Sequence, residues 1–196
     1  MSIKFLLDPG HGGVAFSHYL TPGKRSPEVP PGIFEGEFNR AVCGYLNNGE
    51  KFLSIVPGPI QVPLESRVGF VNKLAKLEDV ALVSVHANAA GDGKQWNAAN
   101  GFTIFTSKNA SKKSELLARC LESEFDDHFG GIIKSRGIKT ANFTIIKQSK
   151  CPAVLVECGF MTHKSDVAFL SSGSGQRAIA AAIYAACAAY ESEVNQ

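Results

Sequence analysis

The chain has 196 residues, of which 44% are apolar and 19% are charged, and this size and composition suit one domain with its own core. The apolar residues are dispersed, and no run approaches the roughly 18 that a membrane-spanning helix needs, so the sequence excludes a transmembrane protein. The formal net charge of +2 gives no electrostatic footprint for nucleic acid or for an anionic membrane.

The amino terminus and the cysteines give two expectations about where the protein is made and kept. Only three consecutive apolar residues precede Asp8, so no signal-peptide core fits there, and we expect synthesis in the cytoplasm. The five cysteines are odd in number, scattered and without a CxxC pair, at positions 43, 120, 151, 158 and 187. This pattern predicts reduced, buried thiols rather than a disulfide framework or a cysteine zinc site.

Short apolar runs alternate with helical patterns along the chain, which is typical of an α/β domain with a largely parallel sheet. In chain order, the patterns predict a strand at 3–7, a loop at 14–32, a helix at 38–46, a weaker strand at 52–56 and a helix at 64–77. They continue with a strand at 80–85, a loop at 88–100, a strand at 101–106, a helix at 114–125, strands at 143–146 and 153–156, and an alanine-rich helix at 176–193. We therefore predict a single α/β domain over residues 1–196, with a largely parallel twisted sheet flanked by helices.

Three of the predicted strands lead to a residue that can bind a metal ion. The first strand leads through a glycine-rich turn to His11, and two later strands end at His86 and Glu157. Because the carboxyl ends of parallel strands lie along one edge of a sheet, we expect these side chains to converge there. This edge is therefore the predicted active site.

A carboxylate is still needed if the two histidines hold a catalytic zinc ion. Such an ion typically takes three protein ligands, often two His and one Glu, and leaves its fourth position to water. Glu35 and Glu37 both lie at the start of the first helix, where acidic residues are favoured in any case. The spacing alone does not choose between them. A single histidine near a strand end is more often structural than a ligand, so the convergence of several groups carries the prediction.

Four segments, in order, resemble the motifs of the zinc-dependent N-acetylmuramoyl-L-alanine amidases of the Amidase_3 family. They are DPGHGG at 8–13, the ExxxN helix start of Glu35 and Asn39, SVHAN at 84–88 and PAVLVECGF at 152–160. Arg67 and Asn72 fit a further, less specific pattern of the family. The resemblance covers essentially the whole chain.

The resemblance implies that His11, Glu35 and His86 bind one zinc ion per chain and that Glu157 is the catalytic acid and base. Glu37 then becomes the spare carboxylate. The reaction implied is hydrolysis of the amide bond that joins N-acetylmuramic acid to the L-alanine of the peptidoglycan stem peptide. An amide needs such an acid because its nitrogen leaves poorly as an anion.

The chain departs from the family pattern in two places. Residues 56–63 stand where the family commonly has a strand followed by Thr-Arg, so the pattern supports the second strand least. Cys158 and His163 stand where small or polar residues are usual, and we expect neither to bind the metal. His18 and His128 fall in polar loops or helix ends and are expected to be surface residues.

The loop at 88–100 is expected to line a groove for glycan or peptide, since loops on a rigid sheet commonly carry specificity. Asn88 and Trp96 are its candidate contacts, and the alternative for Trp96 is an exposed aromatic that touches no substrate.

Two other functions compete with a peptidoglycan amidase. A peptidoglycan-binding module on the same fold would need no proton shuttle, so the presence of Glu157 argues against it. A zinc carboxypeptidase would use similar two-His, one-Glu chemistry on a peptide. The absence of a recognisable signal peptide or wall-binding segment favours a phage endolysin released by another factor, and a host cell-wall hydrolase is the alternative.

Overall fold

A computed structural model of the chain describes residues 2–21 and 24–196, and within them it has eight strands and six helices. The strands are β1 (Lys4–Pro9), β2 (Val14–Ala15), β3 (His18–Tyr19), β4 (Phe52–Ser54), β5 (Val80–Asn88), β6 (Phe102–Thr106), β7 (Ser135–Thr140) and β8 (Ala153–Phe160). The helices are α1 (Glu35–Leu46), α2 (Leu64–Leu74), α3 (Lys112–Phe129), α4 (Thr144–Gln148), α5 (Lys164–Leu170) and α6 (Gly173–Val194).

Six strands form one sheet in the order β4-β1-β5-β8-β6-β7. The first four of these are parallel to one another, β6 is antiparallel to β8, and β7 is parallel to β6. The predicted α/β fold with a largely parallel sheet is confirmed. The three strands that lead to the candidate site, β1, β5 and β8, are neighbours at its centre, so their carboxyl ends lie side by side.

The central strands are buried on both faces because helices cover each side of the sheet. Successive side chains of a strand point to opposite faces. In β1, Phe5 belongs to a large apolar layer that includes residues of α1, α3 and α6, whereas Leu6 belongs to a smaller layer with residues of α2 and α4. Burying each such side chain is worth roughly 1.5–3 kcal/mol. The two layers thus fix the edge that carries the candidate site.

The predicted strand at 143–146 is wrong. Thr144–Gln148 form the short helix α4 with Phe143 at its N-cap, and Ile145 and Ile146 are buried in the smaller apolar layer. A short apolar run fits a buried helix and a buried strand equally well by periodicity, so tertiary packing decides. The outer strand beside β6 is instead β7, a mostly exposed segment that lacks the apolar pattern of a buried strand.

Several element boundaries also differ from the predicted ones. The strands β5 and β8 run past His86 and Glu157, so these residues lie within strands and not beyond their ends. Helix α1 begins at Glu35, and the region predicted as a loop at 14–32 contains the small β2–β3 hairpin. The weaker second strand exists as the three residues of β4. Among the described residues, no helix combines the length and the apolar character needed to cross a membrane.

Candidate metal centre and active site

Side chains from three elements meet at the carboxyl edge of the sheet. His11 follows β1, His86 belongs to β5 and Glu35 is the first residue of α1. One nitrogen or oxygen atom from each lies within 4.8 Å of the others. His86 Nδ1 donates a hydrogen bond to Glu35 Oε1 at 2.9 Å, and His11 Nε2 lies 3.3 Å from Glu35 Oε2. The structure therefore brings the three predicted metal ligands together.

The structure also distinguishes Glu35 from Glu37, which the spacing left as alternative metal ligands. Glu35 is 2% exposed and its carboxylate lies between the two imidazoles. Residues two apart on a helix do not share a face, and Glu37 accordingly points elsewhere. Its Oε1 accepts a hydrogen bond from the backbone N–H of Val14 at 2.6 Å. Glu37 thus secures the β2–β3 hairpin, and Glu35 is the carboxylate available to a metal ion.

Negative charge is concentrated at this edge of the sheet. Burial raises the pKa of Glu35, but its hydrogen bonds with His11 and His86 outweigh burial, and the pKa falls to about 2. Burial lowers the pKa of His86, but the hydrogen bond to Glu35 and the nearby charge of Glu157 raise it above the ordinary value. Both shifts arise because the carboxylate of Glu35 and the imidazoles each stabilise the charged form of the other.

Glu157 lies beside this cluster with an unused carboxylate oxygen. It is the direct partner of His86 in the pairing of β8 with β5. Burial raises its pKa to about 7, with His86 opposing the rise and Glu35 adding to it. Its Oε2 is buried and has no hydrogen-bond partner among the described residues. Buried polar atoms are nearly always paired, so an unpaired carboxylate oxygen with a raised pKa in a cleft makes Glu157 a candidate functional residue.

His11, Glu35, His86 and Glu157 all line one cavity of about 470 Å³. The donor set of two imidazoles and one carboxylate fits a catalytic zinc ion better than a calcium or magnesium ion, which prefers oxygen ligands. The arrangement can hold a metal ion on one side of a reacting bond and a proton-transfer group on the other.

The glycine before His11 is needed for close packing at the site. A Cβ atom on Gly10 would overlap the imidazole ring of His86. On the other side of the turn, a Cβ atom on Gly36 of α1 would overlap the backbone carbonyl of Gly12. The glycine-rich turn after β1 therefore lies directly against both β5 and α1, which is why all three ligands can meet.

A family model described as N-acetylmuramoyl-L-alanine amidase, Amidase_3, matches residues 5–189. The chain belongs to this family. Among curated relatives, it is 29% identical over 189 residues to the N-acetylmuramoyl-L-alanine amidase LytC of Bacillus subtilis (strain 168), covering 94% of this chain and 34% of LytC. It is 24% identical over 190 residues to the probable cell wall amidase LytH of Staphylococcus saprophyticus, covering 96% of this chain and 58% of LytH. The chain thus spans between a third and three fifths of these two relatives.

The fold is also found in a solved structure of an N-acetylmuramoyl-L-alanine amidase from Clostridium difficile 630. The two superpose with a TM-score of 0.80 at 24% sequence identity, over 97% of each chain. At this identity the likeness establishes the fold.

A buried ionic network behind the site was not predicted from the sequence. Arg67 of α2 donates from Nη1 to Asp8 Oδ1 at 2.7 Å, and Ser84 Oγ donates to Asp8 Oδ2 at 2.6 Å. Asp8 and Arg67 are 2% and 4% exposed. The available signal was their position, since a carboxylate and a guanidinium each interrupt a buried apolar pattern and need a partner there.

The two candidate substrate contacts of the 88–100 loop, Asn88 and Trp96, lie in different places in the structure. Asn88 lines the cavity that also contains His11, Glu35 and His86. Trp96 instead lines a shallow depression together with His163, and the ammonium group of Lys164 lies 5.8 Å from the centre of its ring. His163 is the N-cap of α5, with Nδ1 2.9 Å from Asp166 Oδ1. This position gives it a structural role away from the cluster.

The positions of the remaining histidines and of the cysteines do not support a metal-binding or nucleophilic role. His18 and His128 are exposed, as expected. All five cysteines are free, and Cys158 is fully buried in the large apolar layer. Because successive strand residues face opposite sides, Cys158 points away from the cavity that Glu157 lines. Burial also raises the pKa of its thiol well above the ordinary value, which opposes a thiolate nucleophile.

Proposed function

We propose that this chain is a zinc-dependent amidase that hydrolyses the bond between N-acetylmuramic acid and the L-alanine of the peptidoglycan stem peptide. One observation carries the proposal: the unpaired carboxylate oxygen of Glu157 lies beside a cluster of two histidines and one glutamate, in one cavity of a chain from an amidase family. His11, Glu35 and His86 would hold the ion.

Zinc, when bound, lowers the pKa of water toward roughly 7 and polarises a carbonyl oxygen. The protein must supply the proton transfers. With a pKa of about 7, the carboxylate of Glu157 can accept a proton from the attacking water and then donate it to the amine of L-alanine as the C–N bond breaks. A group whose pKa is near the working pH is effective in both directions.

The shape of the surface around the cluster suits a substrate that extends on both sides of the scissile bond. A second cavity, of about 350 Å³, shares His11 and His86 with the first and continues between α2 and α4. Leu64 lines the second cavity, Lys24 and Asp92 line the first, and Phe143 lines both. His11 and His86 thus lie where the two cavities meet, which leaves space on both sides of a bond held at the cluster.

We place the reaction at the cell wall, where peptidoglycan is found. Two observations support this setting: the family match and relatives named as cell wall amidases. The phage endolysin remains a prediction from the sequence.

The decisive experiment is mass spectrometry of the fragments that the protein releases from purified peptidoglycan. We expect stem peptides with a free L-alanine amine, and glycan strands that keep their lactyl groups. Release of terminal D-amino acids would instead identify a carboxypeptidase. Binding to the insoluble wall without any released fragment would identify a binding module.

The metal requirement is tested on the same preparations. We expect one zinc per wild-type chain and loss of activity with a chelator. His11→Ala and His86→Ala should each lose most of the bound zinc, because each removes one of three protein ligands. Full zinc content in both folded variants would contradict the proposed site.

A further inference from the structure

The backbone of His11 adopts a conformation that a histidine rarely takes. Its φ angle is +64°, in the left-handed region that favours glycine. A residue with a Cβ atom keeps this conformation only where the surrounding structure holds it there. His11 is one of the three proposed metal ligands. The contacts that hold its backbone therefore also set the position of its imidazole.

Side chains hold the peptide groups on both sides of His11. On the amino side, Asn39 Nδ2 donates to the carbonyl oxygen of Gly10 at 2.9 Å. On the carboxyl side, two arginines share the carbonyl oxygen of His11: Arg40 Nη2 donates at 2.8 Å and Arg67 Nη2 at 3.1 Å. The two peptide planes fix the φ and ψ angles between them, so these contacts determine the backbone of His11.

Each arginine is itself anchored at several points. Arg67 is buried, paired with Asp8, and donates to the backbone oxygens of Pro9 and Val62 at 2.7 and 3.1 Å. Arg67 therefore ties helix α2 to the turn after β1.

Arg40 joins its own helix, α1, to the backbone at Gly58. Its Nε donates to the carbonyl oxygen of Gly58 at 2.8 Å, and its Nη1 donates to the carbonyl oxygen of Gly36 one turn earlier in the helix. The planar, forked guanidinium suits such divided bonding, which a lysine cannot reproduce.

Resting on the zinc site of the proposed function, we propose that Arg40 and Arg67 are positioning residues that hold His11 in its left-handed conformation and thereby set the affinity of the cluster for its metal ion. They act through the backbone of a ligand and not on the substrate. Anion binding by these arginines is disfavoured because their N–H groups already donate to backbone oxygens and to Asp8.

Arg40 is the better residue to test. Loss of Arg67 would leave Asp8 as an unpaired buried charge, which destabilises the whole fold. Arg40 is only half-buried, and Arg40→Met keeps much of the aliphatic side chain while removing all the hydrogen bonds. Arg136→Met is the control, because Arg136 Nη1 also donates to a backbone oxygen, that of Asn100 at 2.9 Å, and Arg136 lines neither cavity that contains members of the cluster.

The measurement is the dissociation constant for zinc, obtained on the folded full chain by competition with a chromophoric chelator. Partners of metal ligands are commonly worth about 10- to 100-fold in affinity, and we expect a loss in this range for Arg40→Met. Arg40→Lys should recover part of the loss, since an ammonium group can still reach one carbonyl oxygen. The visible absorption of Co²⁺ bound in place of zinc should change in Arg40→Met and not in Arg136→Met.

The results distinguish positioning from a general structural role. If Arg40→Met lowers the melting temperature but binds zinc within about twofold of the wild type, or if Arg136→Met weakens binding equally, the inference is overturned while the proposed function stands. A wild-type chain that binds no zinc would instead overturn the metal centre of the proposed function, and this inference with it.

Discussion

Replacing Glu157 with glutamine is expected to lower activity and, in the metal-free protein, to raise stability at alkaline pH. Glutamine has nearly the same shape. It can neither accept a proton as a carboxylate does nor donate one as a carboxylic acid does. Positioned acid–base catalysis is commonly worth 10² to 10⁴ in rate. We therefore expect turnover on peptidoglycan to fall by about 10² or more while the fold and the bound zinc are retained.

The effect on stability follows from the burial of Glu157. Its pKa is raised from an ordinary 4.5 to about 7 in the folded protein, so the folded state holds this proton more tightly than the unfolded state. Stability is therefore lost as the pH rises from 4.5 through 7, and the loss is complete above 7. Glutamine carries no charge at any of these pH values, so the variant avoids the loss.

The size of the difference can be bounded. At 1.36 kcal/mol for each pKa unit, the shift corresponds to about 3 kcal/mol. Part of the Glu157 side chain faces the open cavity, where water screens its charge, so we expect about 1 to 2 kcal/mol. In the variant, His86 loses the attraction of the Glu157 charge, which raises the pKa of His86 in the wild type, and this loss offsets part of the gain.

The assay is urea unfolding of both proteins with a chelator present, at pH 5 and at pH 8, with turnover and zinc content measured on the same preparations. We expect Glu157→Gln to be the more stable protein at pH 8 and the difference to shrink toward pH 5. A variant that is less stable than the wild type at pH 8 would show that the carboxylate is a structural cap. Normal turnover by the folded, zinc-loaded variant would refute the catalytic role.

Three further predictions concern the residues around Glu157. Glu35→Gln should lose much of the bound zinc and Glu37→Gln should retain it, as measured by metal analysis, because only Glu35 lies between the imidazoles; equal losses would contradict this assignment. Cys158→Ser should keep measurable hydrolysis, whereas a folded, zinc-loaded but inactive variant would point to a thiol mechanism. Gly10→Ala should weaken zinc binding by at least about tenfold in a chelator competition, because the added methyl group would displace the ring of His86, and unchanged affinity would refute this packing argument.

The sequence was sufficient to predict the fold class and the edge of the sheet where the candidate site lies. Both depend on the order of residues along the chain: apolar runs alternate with helical patterns, and parallel strands present their carboxyl ends together. His11, His86 and Glu157 could be selected because each follows or ends a buried strand pattern. The family motifs then singled out Glu35, which spacing alone had left equivalent to Glu37.

Only the tertiary structure decided the features that depend on contacts between distant segments. The run at 143–146 is a helix because Ile145 and Ile146 pack against the second face of the sheet, and no local pattern distinguishes this from a buried strand. Glu35 differs from Glu37 because α1 lies with one face toward the two histidines. The surroundings that leave one oxygen of Glu157 unpaired come from residues far apart in sequence. The same is true of the two arginines that donate to the carbonyl oxygen of His11. The packing of helices against the sheet brings these residues together.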